Sequence, residues 1–91
     1  MVEKIGDDLG LTTFMPAQCR AARGLLNWNQ QDLASHAGVS RSTVREFEAG
    51  HHELHRSTEM LLVRALEDAG VRLIGDDGQG VGVRLAPAPA G

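Results

Sequence analysis

Lysine is almost missing from this 91-residue chain: Lys4 is alone, and every fixed positive charge after it is an arginine. Aromatic side chains are nearly as scarce, being limited to Phe14, Trp28 and Phe47. Ala and Leu must therefore fill the interior, which suits packed helices better than a β-sandwich. The single cysteine, Cys19, excludes an internal disulfide and a cysteine-based zinc site, and it fits a reducing, cytoplasmic setting. No apolar run approaches the roughly 18 residues that a membrane span needs. Met1 to Asp8 are acidic on balance and carry no apolar signal-peptide core, so no export signal is expected.

Catalytic constellations are missing too. Asp76 and Asp77 lie in a Gly-rich turn without calcium-loop spacing. The glycines between Gly75 and Gly82 precede neither a Lys-Ser/Thr pair nor a helix that would hold a phosphate. His51, His52 and His55 follow a helix stop, with Glu53 the only adjacent carboxylate, so no metal site is expected. No cofactor is implied, and an enzyme is the weakest of the function classes considered.

A net charge of −3 argues against a non-specific coater of nucleic acid. Its distribution is uneven, however. Residues 15–56 carry five Arg against four acids, whereas 1–14 and 57–91 each balance at −2. The only segment that is not acidic is thus armed with arginine, whose planar fork suits phosphate and guanine.

The chain is long enough for one small domain. Residues 1–14 have no clear period and read as a flexible arm, a short strand, or residues upstream of a core that starts at Met15. Pro16 suits the first position of a helix, and Cys19, Ala22, Leu25 and Leu26 make its apolar face to Leu26. Asn29 caps a second helix, Gln30 to Ala37, which buries Leu33, Ala34 and Ala37, with Asp32 favourable in its first turn. Gly38 stops it, and Val39 returns to the core. Ser40 caps a third helix, Arg41 to Ala49, with Val44 and Phe47 inward and Gly50 as its stop. Residues 51–56 read as a loop or single turn, and Ser57 as the cap of a fourth helix, Thr58 to Ala69, burying Leu61, Leu62, Ala65 and Leu66. Two β-leaning runs, Val71–Ile74 and Val81–Leu85, flank a turn-rich Gly75–Gly80 and predict a hairpin. A lone hairpin is marginal in water, so it must pack on the helices or pair with another chain. Residues 86–91 read as a disordered tail.

The stretch Asn29 to Gly50, NQQDLASHAGVSRSTVREFEAG, resembles the Cro/cI-type helix-turn-helix of the Xre family. The matching features are Gln30, Leu33-Ala34, Ala37-Gly38-Val39-Ser40, Val44 and Phe47-Glu48-x-Gly50. The likeness extends through Ala22-Arg23-x-Leu25-Leu26-x-Trp28 before the motif and Ala65-Leu66-Glu67-x-x-Gly70-Val71 after it. It implies an all-α, lambda-repressor-like helix-turn-helix bundle of four or five helices, here with a short C-terminal β-hairpin. The domain would span 15–70 and the hairpin 71–85.

The resemblance also assigns roles by position. Arg41, Ser42, Arg45 and Glu46 would read bases from the third helix in the major groove. Gln30, Thr43, Arg20, Arg23, His51, His52 and Arg56 would hold phosphates. Glu48 is expected to pair with Arg20 or Arg23 as an exposed ion pair, worth about 0–1 kcal/mol. Trp28 reads as a core or cap residue, His36 as a surface residue and Cys19 as small core. The implied function is a sequence-specific regulator of transcription, usually a repressor. Its partners would be double-stranded DNA and a second copy, joined through the hairpin residues Leu73, Ile74, Val81, Val83 and Leu85. Two alternatives stay open: an autoregulating antitoxin with a toxin partner, and a protein-interaction adaptor that keeps the fold without touching DNA.

Overall fold

Proline needs no backbone hydrogen-bond partner at the first helical position, and Pro16 occupies that place. The computed structural model describes residues 14–87, in which Pro16–Leu26 forms α1, Gln30–Ala37 α2, Arg41–Glu48 α3 and Arg56–Asp68 α4. Two strands follow, β1 at Val71–Ile74 and β2 at Gly82–Leu85, paired antiparallel. The expected arm and tail lie outside the described residues, apart from residues 14, 86 and 87.

The caps follow local chemistry. Asn29 Oδ1 accepts from the Asp32 N–H at 2.7 Å, and Asp32 Oδ2 accepts from the Asn29 N–H at 2.8 Å. This reciprocal pair satisfies donors that the first turn of α2 would otherwise leave open. Ser40 Oγ does the same for the Thr43 N–H at the head of α3, at 3.1 Å. Gly38 ends α2 at φ 75°, a left-handed conformation that a side chain would strain. Asn27 takes the same role after α1 at φ 58°, and among the described residues it is the only non-glycine at positive φ. Asparagine tolerates that region better than most residues. The turn is closed by the Trp28 N–H donating to Arg23 O at 2.9 Å.

The core lies where the four helices and one face of the hairpin meet. Leu33, Val44, Leu62, Leu66 and Val71 are fully buried, each contributing roughly 1.5–3 kcal/mol of apolar transfer. Phe14 is buried as well and stacks on Phe47 at a ring separation of 5.3 Å, so the last residue of the expected arm belongs to the core. The register sets Val71 opposite Leu85 and Leu73 opposite Val83, on one face of the hairpin. Leu73 and Val83 pack against the helical core from that face.

A buried polar side chain, Gln18, anchors the hairpin to α1. Its Nε2 donates to Ile74 O at 3.2 Å and Gly82 O at 3.0 Å, and its Oε1 accepts from the Met15 N–H at 3.0 Å. The amide thus ties the innermost strand pair to the first turn of α1.

Three local expectations differ from the structure. Leu25 and Leu61, expected inside, are 40% and 45% exposed. In each leucine doublet the packing turns one side chain toward the core, Leu26 or Leu62, and leaves its neighbour about 100° around the helix in solvent. The fourth helix begins at Arg56 with His55 as its N-cap, and Ser57 lies inside it. Leu54 packs against the core just before that start, so burial and not capping chemistry sets where α4 begins.

Candidate nucleic-acid interface

Helix α3 has two chemically distinct sides. Val44 and Phe47 anchor it from within, at 0% and 6% exposure. Arg41, Ser42 and Arg45 are exposed, and Glu46 is half-buried. Arg41 with Arg45 and Ser42 with Glu46 are each one turn apart, so the four form one contiguous outer surface. Among the described residues no side-chain hydrogen bond or ion pair holds Arg41 or Ser42. Among the described residues the N-terminal end of α3 is therefore open to solvent, with the Arg41 guanidinium and the Ser42 hydroxyl both exposed. Thr43 is less free: its hydroxyl shares a 2.9 Å hydrogen bond with Ser40 Oγ.

At the other end of α3 the charged groups are tied down. Glu48 is buried, at 5% exposure. Arg23 grips it in a two-point fork, with Nε to Oε2 at 2.8 Å and Nη2 to Oε1 at 2.7 Å. Gln30 Nε2 donates to Oε1 at 3.1 Å, and Arg20 Nη1 donates to the Glu48 main-chain oxygen at 2.6 Å. Arg23 also reaches Trp28 O at 3.0 Å. One carboxylate thereby joins α1, α2 and α3 and fixes their relative placement. Burial alone would raise the pKa of Glu48. Hydrogen bonds from Arg23, Cys19 and Gln30, with the Arg23 charge, outweigh that and hold it below the ordinary carboxylate range.

This network corrects the expectation of an exposed Glu48 pair. It also shows where three of the expected phosphate ligands spend their donors: Arg23 on Glu48 and Trp28, Gln30 on Glu48, Arg20 on the Glu48 main chain. Gln30 sits at the head of α2 and keeps a second amide N–H, because a side-chain amide carries two. Cys19 lies in the same buried cluster. Burial, and then the adjacent Glu48 carboxylate, push its thiol far above the usual range.

Beyond α3 the chain turns back on itself. Gly50, at φ 78°, lets the His51 N–H donate to Glu46 O at 3.1 Å and its own N–H donate to Phe47 O at 2.9 Å. His51 Nδ1 then lies 3.4 Å and His52 Nε2 3.5 Å from Glu46 Oε1. Arg45 Nη2 is 3.7 Å from the other carboxylate oxygen. A cleft of about 300 Å³ opens here, lined by Ser42, Thr43 and Glu46 on one side and His52, Leu54, His55 and Thr58 on the other. Arg56 is exposed at the start of α4. Among the described residues no group of three or more His, Cys, Asp and Glu is placed to hold a metal ion.

Trp28 and His36 stack at a ring separation of 4.2 Å, with Trp28 half-buried over the core. The residues that sequence patterning missed are Gln18 and the burial of Glu48. Gln18 shares a helical face with Ala22, one turn on, and that was the available signal.

No helix among the described residues is long and apolar enough to cross a membrane. No curated protein matches the chain. The family model described as Helix-turn-helix matches residues 20–67, more than half of the chain, running from α1 into α4 and leaving the hairpin outside. The chain therefore belongs to the Cro/cI-type, or Xre, helix-turn-helix family: it is a DNA-binding regulator of transcription with a lambda-repressor-like fold and an added C-terminal hairpin.

Proposed function

We propose that the protein is a cytoplasmic repressor that binds a short operator as a homodimer, with α3 in the major groove. Arg41, Ser42, Arg45 and Glu46 read base edges, Arg41 by a two-point contact with guanine. The observation that carries this reading is the open N-terminal end of α3 on an otherwise anchored helix. A rigid rod with free donors at its tip is what a groove reader requires. Gln30, at the positive head of α2, takes a phosphate with its remaining N–H and the helix terminus. Thr43, His51, His52 and Arg56 flank this surface as further phosphate contacts, whereas Arg20 and Arg23 are committed to Glu48 and serve to hold α3 in place.

The hairpin supplies the dimer contact. Its inner residues Leu73 and Val83 are already committed to the monomer core, which leaves Val81 and Leu85 as its exposed apolar groups at 37% and 45% exposure. Its other face sets Arg72 directly opposite Arg84, a like-charge pair that disfavours face-to-face stacking of two copies. The copies therefore meet at the strand edges, near Leu85. Sedimentation of Leu85→Glu should show a shift to monomer with the helical signal retained, and an unchanged dimer rules this contact out.

Selection of bound duplexes from a random pool tests the whole reading. A palindromic site with half-sites about one helical turn apart is expected, with affinity falling steeply as salt rises. A chain that retains no duplex at low salt would instead be the protein-interaction adaptor that its −3 net charge permits.

A further inference from the structure

Glu46 is the one outer residue of α3 whose carboxylate is met by two imidazoles. Both are delivered by backbone geometry. The Gly50 turn folds His51 back over the last turn of α3, and the His51 N–H bond to Glu46 O holds it there. His52 follows directly and reaches the same Oε1 from the cleft side. The imidazoles are well exposed, at 67% and 70%. Imidazole is the side-chain type that changes charge between about pH 5 and 8.

We propose that His51 and His52 are positioning residues for Glu46, so that the chain's preference at the base pair facing Glu46 depends on the protonation of these two rings. This deepens the DNA-reading proposal and rests on it. An ionised Glu46 accepts a hydrogen bond from the amino group of cytosine. With both imidazoles neutral, the carboxylate is restrained only by Arg45 on its own helix and is available to the groove. With the imidazoles charged, two cations of the following loop compete for the same oxygen and draw it toward the C-terminal end of α3. The same protonation adds positive charge beside the duplex and strengthens binding to any sequence. Acid thus trades preference for affinity. The other titratable groups at the cleft are Glu53 and His55, from the loop; neither pairs with Glu46 among the described residues, and α4 contributes only the uncharged Thr58 to the lining.

The test uses the full chain and its selected operator, varied at the one base pair whose preference Glu46→Gln abolishes. Binding is measured at about pH 5.5 and pH 8, which bracket imidazole titration. The wild type should discriminate at that pair about tenfold better at the higher pH, within the range a single base contact supplies, and should bind all variants more tightly at the lower. The His51→Gln/His52→Gln variant should show the same discrimination at both pH values, and His55→Gln should keep the wild-type profile. If the wild-type preference is the same at both pH values, or the double variant keeps the wild-type profile, or His55→Gln abolishes it, the inference is overturned while DNA reading stands. If no base pair loses its preference in Glu46→Gln although the operator is still bound, Glu46 is not a reader and the inference falls with that role. If no sequence is preferred by any form at either pH, the DNA-reading proposal itself fails.

Discussion

Glu46 and Glu48 stand two residues apart on the same short helix and live under opposite physical regimes. Glu48 is buried, gripped by the Arg23 fork, and bonded to Gln30. Its partners come from α1 and α2, so it stabilises the assembly of helices. Glu46 is half-exposed, and its partners are one neighbour and a loop, at distances of 3.4–3.7 Å. Those contacts sit in high dielectric and contribute little to folding. The difference teaches how the helix divides its labour. Charge on the inner side is spent on holding α3 in place, and charge on the outer side is kept loose enough to meet a ligand. Gln18 and Arg41 repeat the contrast, one amide fully used inside and one guanidinium exposed outside.

Substitutions can break that contrast, and the largest effect is expected at Glu48. Glu48→Gln leaves Arg23 without its counter-ion in a site nearly closed to water. The loss should be about 3 kcal/mol, at the lower end for a broken buried pair because Arg23 keeps some access to solvent. Denaturant unfolding at neutral pH checks this. Since the native pKa of Glu48 is lowered, its contribution is fully present above pH 4.5, the group's ordinary value, and is lost as pH falls through the depressed native value. The gap in stability between wild type and Glu48→Gln should therefore close in acid. A gap that stays constant below pH 4.5 would mean the charge is not what holds the helices.

Gln18→Ala comes next. It leaves the Ile74 and Gly82 carbonyls without their shared donor and should cost about 2 kcal/mol, with the hairpin amides losing hydrogen-exchange protection first. On the outer side, Arg41→Ala should leave the melting temperature nearly unchanged while removing about 1–2 kcal/mol of discrimination at a single base pair. Binding to operators varied at each position decides it, and uniform weakening with unchanged preference would refute base reading by Arg41. The smallest effect on folding is expected at Glu46. Glu46→Gln should alter stability by less than about 0.5 kcal/mol, and a loss comparable to that of Glu48→Gln would erase the distinction between the two sides of α3.

Much of this was legible along the chain because it depends on neighbours in sequence. Asn29 and Asp32, Ser40 and Thr43, and the stops at Gly38 and Gly50 act within a single turn of backbone, so residue type alone places the ends of α2 and α3. Hydrophobic spacing likewise marks Leu33, Val44 and Leu66 as interior. Where two leucines adjoin, at 25–26 and 61–62, spacing could not say which would turn inward, because the answer depends on what packs opposite.

Four helices, the hairpin and the outward-facing arginine tip of α3 were written in the amino-acid sequence, since each rests on periodicity and turn chemistry, and the family was written in the residue pattern of Asn29 to Gly50. Only the tertiary structure decided that Glu48 is buried between three helices, that Gln18 clamps a hairpin more than fifty residues away, and that Glu46 is met by two histidines. These are meetings of groups from different elements. Their energies come from desolvation and from partners that a linear pattern does not bring together.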